Sequence, residues 1–352
     1  MWVPILIACI FLYFLKNKNG KFLYVGFFLL LFLNIFRDST VGTDYKYYIQ
    51  SFENISTLTI SSLRNLSGDV FSLTPSENRE IGWIFLNSIV KYYNGTYFIV
   101  NLVAAVIILF LYFIAIKRES PSLSLSLYLL LMLYIYYQSF NTTRQSVSVA
   151  LFIFSIYYIK EKKFLLYSIL CIFASLMHTS AIFLIPLYFL KYINLPYKSV
   201  TIIIIITFLI PLFSIDDFFV NLFTGDIIYL NYVKNIRQFS FYGYMPVVTI
   251  LTVQSMFFLY SLKLEKKPDI SMKIWFIGLL FQNITMRYDW LSRFSDYFLV
   301  MQIIAIPIVY SNTFNDKNKQ TYFNVAILYS IFIYAFNIYA NTQGILPYYF
   351  NF

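Results

Sequence analysis

Cysteine, histidine and charge are all scarce in this chain, and each scarcity removes a class of chemistry. The two cysteines, Cys9 and Cys171, both fall inside apolar runs. They suggest neither a disulfide framework nor a thiolate metal site, and packing is their expected role. The one histidine, His178, has no second histidine or clustered cysteine to complete a zinc-type ligand set. No metal or other cofactor is therefore expected. Charged residues make up only 12% of the 352, while 60% are hydrophobic, which excludes an ordinary soluble domain. No cleavable leader is expected. The run 2–15 has no basic region before it and is followed by Lys16, Lys18 and Lys21, so it reads as a first span. No internal repeat is evident.

What is present is apolar sequence from end to end, with 39 Phe and 33 Tyr among it. A backbone in hydrocarbon must satisfy its own hydrogen bonds, so these runs read as helices. The expected fold is an all-α polytopic integral membrane protein of about 12 transmembrane helices. The spans fall near 2–15, 22–36, 98–116, 123–140, 144–159, 164–178, 180–190, 199–215, 246–262, 274–286, 294–312 and 321–340. The stretch 164–190 reads either as two tightly connected spans or as one span plus a re-entrant piece. Residues 1–352 form one transmembrane domain with two larger extracytoplasmic loop regions, 37–97 and 216–245. In the first, the apolar residues 81–93 are too short to span and suggest an interfacial or re-entrant helix. The second carries Asp216, Asp217, Asp226, Lys234 and Arg237 among aromatics.

Orientation follows from the short loops. With the N-terminus outside, the cytoplasmic connections hold 16 basic residues against 5 acidic, and the opposite face 10 against 11. That bias fits the positive-inside rule, so the net charge of +10 needs no nucleic-acid partner. Residue type sharpens the point. All but one of the cytoplasmic basic residues are Lys, whereas Arg37, Arg64, Arg79, Arg144, Arg237, Arg287 and Arg293 lie outside. Arginine's planar, permanently charged fork suits phosphates and carboxylates. Salt bridges to the outer acids and lipid-headgroup contacts are the competing explanation, above all for Arg64 and Arg79.

Several positions qualify singly. Arg144 follows Asn141-Thr-Thr and precedes Gln145 at the mouth of a span. A helix starting near Thr142 would add free N–H groups to its charge, a combination that attracts anions. His178 ends the run Phe173-Ala-Ser-Leu-Met-His178. It qualifies as a proton donor or acceptor, or as a hydrogen-bonded packing residue. Asp38 and Asp44 flank Gly42 and can orient or deprotonate a sugar hydroxyl, hold an arginine, or stabilise a turn. Arg293 and Tyr297 are four apart and share a helix face if the span has begun there. Together these point to an outward-facing, membrane-level cavity for a substrate that combines an anion with a lipid.

The pieces Arg37-Asp38, Val41-Gly-Thr-Asp-Tyr45, Glu80-Ile-Gly82, Thr143-Arg-Gln145 with Ala150, Ala174 through His178-Thr-Ser-Ala181, Arg287 with Arg293 and Tyr297, and Pro347-Tyr348 occur in that order. At these residues the chain resembles the EpsG/Wzy-type exopolysaccharide and O-antigen polymerase family. The resemblance implies a GT-C-like or Wzy-like bundle. It also implies polymerisation of polyprenyl-diphosphate-linked oligosaccharide units at the outer face of a bacterial cytoplasmic membrane. It makes Arg144, Arg287 and Arg293 candidates for the donor diphosphate. His178, Asp38 and Asp44, with Arg144, become the catalytic candidates, and Arg37, Tyr45, Glu80, Gln145, Arg237 and Tyr297 the glycan or acceptor contacts. The implied partners are lipid-linked donor and acceptor, membrane lipids and a chain-length-regulating co-polymerase. A flippase or transporter of the same glycans, and a ligase delivering finished glycan to another acceptor, are the alternatives.

Overall fold

A computed structural model describes residues 2–13, 21–55, 80–212, 241–265, 267–286 and 293–350. Arg64, Arg79, Arg237 and Arg287 lie outside the described residues, as does most of the 216–245 region with Asp216, Asp217, Asp226 and Lys234. The described residues fold as helices. Outside them they form a single isolated antiparallel bridge, between Arg37 and Phe350.

The chain divides into two compact units, Met1–Tyr188 with Tyr334–Phe352, and Phe189–Ile333. The first contains α1 (Trp2–Tyr13), α2 (Lys21–Ile35), α3 (Tyr45–Asn54), α4 (Ile81–Tyr92), α5 (Tyr97–Glu119), α6 (Leu123–Met132), α7 (Ile135–Asn141), α8 (Thr143–Lys160) and α9 (Phe164–Met177). A 3₁₀ run, Thr179–Tyr192, follows α9, and α10 is Tyr197–Leu212. The second unit continues with α11 (Phe241–Leu264), α12 (Ile270–Ile284), a 3₁₀ turn Arg293–Ser295, α13 (Asp296–Leu299) and α14 (Gln302–Asn312). Helix α15 (Asp316–Ala340) runs from the second unit back into the first.

The described parts of the expected apolar segments are largely helical, yet the expected count of about 12 spans is not reached among the described residues. Among the described residues four helical stretches are long and apolar enough to cross a membrane: Tyr97–Glu119, Pro246–Leu264, Arg293–Asn312 and Asp316–Ala340. A fifth is obtained if α6 and α7, bent by 50° at their junction, count as one broken span. The others fall short of the roughly 20 residues a bilayer requires. Tyr24–Ile35, Phe164–Met177, Thr179–Tyr192, Tyr197–Pro211 and Ile270–Ile284 are apolar but short. The result is an all-α, polytopic, membrane-associated fold with many truncated helices.

Helix α8 is the axis of the first unit, packed along both α5 and α9. Its buried face carries Ser146, Ser148, Ala150 and Ser155, small side chains that let backbones approach closely where lipid offers no hydrophobic drive. Ser148 Oγ donates across to the Ala174 carbonyl of α9 at 2.9 Å. The stretch 164–190 takes the form of two tightly connected segments. Tyr167 Oη donates to Leu184 O at 2.6 Å and the Phe164 and Tyr188 rings meet at 4.9 Å, so α9 and the 3₁₀ run lie side by side with His178 at their turn. At the far end of α5, Arg118 lies over Tyr157 at 4.1 Å, beside the Glu119–Lys160 ion pair of 2.8 Å.

Candidate functional site

Three segments of the first unit converge on one carboxylate. Glu80 precedes α4 but does not cap it, because its side chain turns away from the helix N–H groups. Instead Oε2 lies 2.6 Å from Arg144 Nη1, and Oε1 meets His178 Nδ1. A carboxylate only accepts, so Nδ1 carries the proton and Nε2 of a neutral His178 is left as the acceptor. Glu80 is buried, while the Arg144 and His178 side chains keep 36% and 30% of their exposure. Both side chains therefore remain within reach of a ligand while anchored from behind.

Local sequence explains how each arrives. Asn141 ends α7, and the next two residues turn the chain into α8. Thr142 Oγ1 donates to Gln138 O at 3.2 Å and Thr143 Oγ1 to Ser139 O at 3.1 Å. The Gln138 carbonyl also accepts from the Thr142 backbone N–H at 2.9 Å, and these bonds across the junction accompany the placing of Arg144 in the first turn of α8. His178 caps α9 in extended conformation, with its backbone N–H donating to Ala174 O at 3.0 Å. Gly82 brings α4 up to that end of α9. A Cβ there would sit 2.9 Å from the Leu176 carbonyl oxygen, so only glycine permits the approach that places Glu80 beside His178.

Helix α3 supplies a residue that sequence reasoning missed. The Tyr48 ring lies 5.3 Å from the Arg144 guanidinium carbon, within cation–π range. Burial, the larger influence, and the nearby Asp44 and Glu80 raise the Tyr48 phenol above its ordinary value against the opposing pull of Arg144. The signal was the helical spacing of Tyr45, Tyr48 and Phe52, which are the buried face of α3.

The loop 37–44 is tied to the start of α8 through Asn141. Its Oδ1 accepts from Thr43 Oγ1 and from the Asp44 backbone N–H, both at 2.7 Å, and its Nδ2 donates to Gln343 Oε1 at 2.9 Å. Residues 341–350 fold back over this loop. Asp38 N donates to Tyr349 O at 2.9 Å and Gly42 N to Gly344 O at 3.0 Å, and Tyr348 Oη reaches Leu33 O. Gly42, at φ +99°, would place a Cβ 2.5 Å from Phe140 O, so its conformation and its contact both demand glycine.

The other expected site residues are placed as follows. Asp38 accepts from the Thr40 backbone N–H at 2.9 Å and hydroxyl at 2.7 Å. Those bonds, the hydroxyl's foremost, hold its carboxyl below the usual carboxylate value. Asp44 precedes α3, where its Oδ1 accepts from Thr43 Oγ1 at 3.2 Å. Gln145, next to Arg144 in the first turn of α8, is buried. Arg37 is enclosed rather than presented to solvent. Its terminal nitrogens donate to Asn34 O at 2.7 Å, to Asn34 Oδ1, to Asn101 Oδ1 at 3.1 Å and to Phe140 O at 3.4 Å, and it lies 4.3 Å from the Tyr45 ring. In the second unit the expected shared face of Arg293 and Tyr297 does not form. The 3₁₀ turn ends at Ser295, leaving Arg293 exposed while Tyr297 is wholly buried against Phe294. Among the described residues no three His, Cys, Asp or Glu side chains gather as a metal-binding group.

A family model described as the EpsG family matches residues 20–350. No curated protein and no solved structure matches the chain.

Proposed function

The chain belongs to the EpsG family, and from that premise we propose that it extends a polysaccharide by glycosyl transfer between lipid-linked units. The donor is a glycan on polyprenyl diphosphate and the acceptor is the terminal sugar of a second lipid-linked repeat. The reaction takes place at the extracytoplasmic face of a bacterial cytoplasmic membrane, where the arginine-rich side of the sequence lies. The observation that carries this reading is the Glu80 carboxylate shared between Arg144 and His178.

In this mechanism Arg144 takes the donor diphosphate, with the face it keeps open beside Glu80. As the bond from the anomeric carbon to the diphosphate oxygen breaks, the electron pair leaves with that oxygen. Guanidinium groups at a partly dehydrated site stabilise the growing charge. The acceptor hydroxyl forms the new bond to the anomeric carbon and passes its proton to His178 Nε2. Glu80 keeps the imidazole in the required tautomer and supports the positive charge it acquires. Asp38, already committed to Thr40, is the weaker base.

Purified protein in nanodiscs with one lipid-linked repeat tests the reading by product sizing. A ladder supports polymerisation. A single transfer to a foreign acceptor identifies a ligase, and movement between leaflets without transfer identifies a transporter; either outcome overturns the proposal. Because arginine supplies the charge stabilisation here, the ladder is expected to persist in EDTA. Activity restored only by a divalent ion would reject that part.

A further inference from the structure

We propose that a groove of the second unit, between α11 and α15, holds one anionic glycerophospholipid from the leaflet that faces the lysine-rich loops. Such a site stands apart from the glycosyl-transfer reading and requires nothing of it. The groove has a volume of about 570 Å³, within the roughly 300–1,000 Å³ of small-molecule sites. Its walls are Pro246–Leu264 of α11 and the whole of α15. Both are long and apolar enough to cross a membrane, and they are the two least buried of the four such stretches.

Aromatic side chains bridge the two helices and form the floor. The Phe257 ring stacks on Tyr329 at 4.2 Å and on Tyr322 at 5.8 Å, and the Ser261 and Tyr322 hydroxyls share a hydrogen bond of 3.0 Å. The lining is apolar apart from the Thr321 hydroxyl and the tyrosine rings. Met256 and Leu328 belong to it and stay 67% and 66% exposed. In a bilayer such a surface takes an alkyl chain, whereas a polar guest would be desolvated without a partner.

Charge selects the kind of lipid. On α11 the lining positions Val253, Met256 and Tyr260 follow three- and four-residue steps, and the next step is Lys263. On α15 Thr321, Val325 and Leu328 do the same, and the step before them is Lys317, whose carbonyl accepts from Thr321 Oγ1 at 2.8 Å. Residues so spaced share a helix face, so each wall runs on into an exposed lysine. Phe257 meets Tyr329 and Tyr260 meets Tyr322, which makes the helices antiparallel and puts both lysines at the same end. The charge bias of the sequence makes that end cytoplasmic. Of the neighbouring charges, Glu265 is committed to Asn312 Nδ2 at 2.9 Å and Lys319 lies over the Tyr310 ring at 5.0 Å. Asp316 stands in the first turn of α15, where it complements the helix dipole. Two ammonium groups at the mouth of an apolar groove match a phosphodiester above an acyl chain, and lysine's hydrated point charge suits the headgroup level.

Native mass spectrometry of the delipidated full chain, titrated with dioleoylphosphatidylglycerol and with dioleoylphosphatidylcholine, tests the site. The anionic lipid is expected to bind at least about fivefold tighter than the neutral one. Lys263→Gln and Lys317→Gln should each weaken it by about fivefold, the effect of one basic residue near a headgroup, and leave the neutral lipid unmoved. Val325→Trp, which fills the groove, should weaken both. Thermal unfolding checks that the three variants fold. Equal affinity for the two lipids, or phosphatidylglycerol binding indifferent to the folded lysine variants, overturns the proposal. Undecaprenyl phosphate bound in preference to phosphatidylglycerol would assign the groove to a carrier lipid. A dimer that Val325→Trp dissolves would assign it to a second copy of the chain. Either result overturns the phospholipid site as well.

Discussion

Arg144 Nη1 and Glu80 Oε2 sit 2.6 Å apart, joining the first turn of one helix to the threshold of another. The contact is an ion pair without hydrogen-bond alignment. The guanidinium is therefore held on one side and keeps donors for another anion. The same carboxylate holds His178, so one residue fixes the position of the two groups given opposite tasks in the proposed reaction.

Glu80→Gln preserves shape and removes the charge. Turnover in the product-sizing assay is expected to fall by about a hundredfold or more, in the range of lost acid–base function. Stability should drop by only about 1–2 kcal/mol, well under the 3–5 of a fully buried pair, because Arg144 is 36% exposed. Equal losses in rate and in folded fraction would reduce Glu80 to a structural residue.

Arg144→Lys keeps the charge and loses the fork and its lie against Tyr48. We expect at least a tenfold loss of turnover with little change in melting temperature. Near-normal rates would mean that the guanidinium geometry is not used on the diphosphate.

Gly82→Ala should act through distance alone. The added methyl meets the Leu176 carbonyl at 2.9 Å, so α4 must shift away from α9 at a cost of about 1–3 kcal/mol. Activity is expected to fall with stability, and the His178 imidazole NMR signals should move as Glu80 withdraws. An unshifted imidazole in a folded variant contradicts this account.

Acid should expose the part played by Asp38. Its folded value lies below the ordinary 3.8, through the Thr40 hydroxyl first. The charged form is thus favoured by folding. Its contribution is complete above the unfolded value and fades as pH falls through the folded one. Wild type should be more stable than Asp38→Asn near neutral pH, and the gap should close on titrating below 3.8. A gap that persists at full protonation would assign the difference to something other than charge.

Much of the helical layout was legible, because uninterrupted apolar runs leave a backbone little choice. The number of spans was not, since composition identifies a helix without fixing whether it continues for a full bilayer. In the site, Arg144 and His178 stood out singly, while Glu80 entered only through the family resemblance, as a glycan contact. Its joining of the other two depends on how closely α4 packs on α9 at Gly82. Arg37 read as part of an exposed surplus. Its neutral partners Asn34 and Asn101 sit within apolar helices, and polar residues so placed were the sign that something charged lay between them. Tyr48 and Asn141 went unnoticed because their partners are remote in sequence.

The return of residues 341–350 onto the 37–44 loop carries a consequence for biogenesis. The first unit is interrupted in sequence by 189–333, so Asn141, Gly42 and Asp38 wait for Gln343, Gly344 and Tyr349 until that whole excursion has been threaded. Substitutions in the returning segment should therefore lower the yield of assembled protein through slow closure and premature degradation, while the molecules that do close work at nearly full speed.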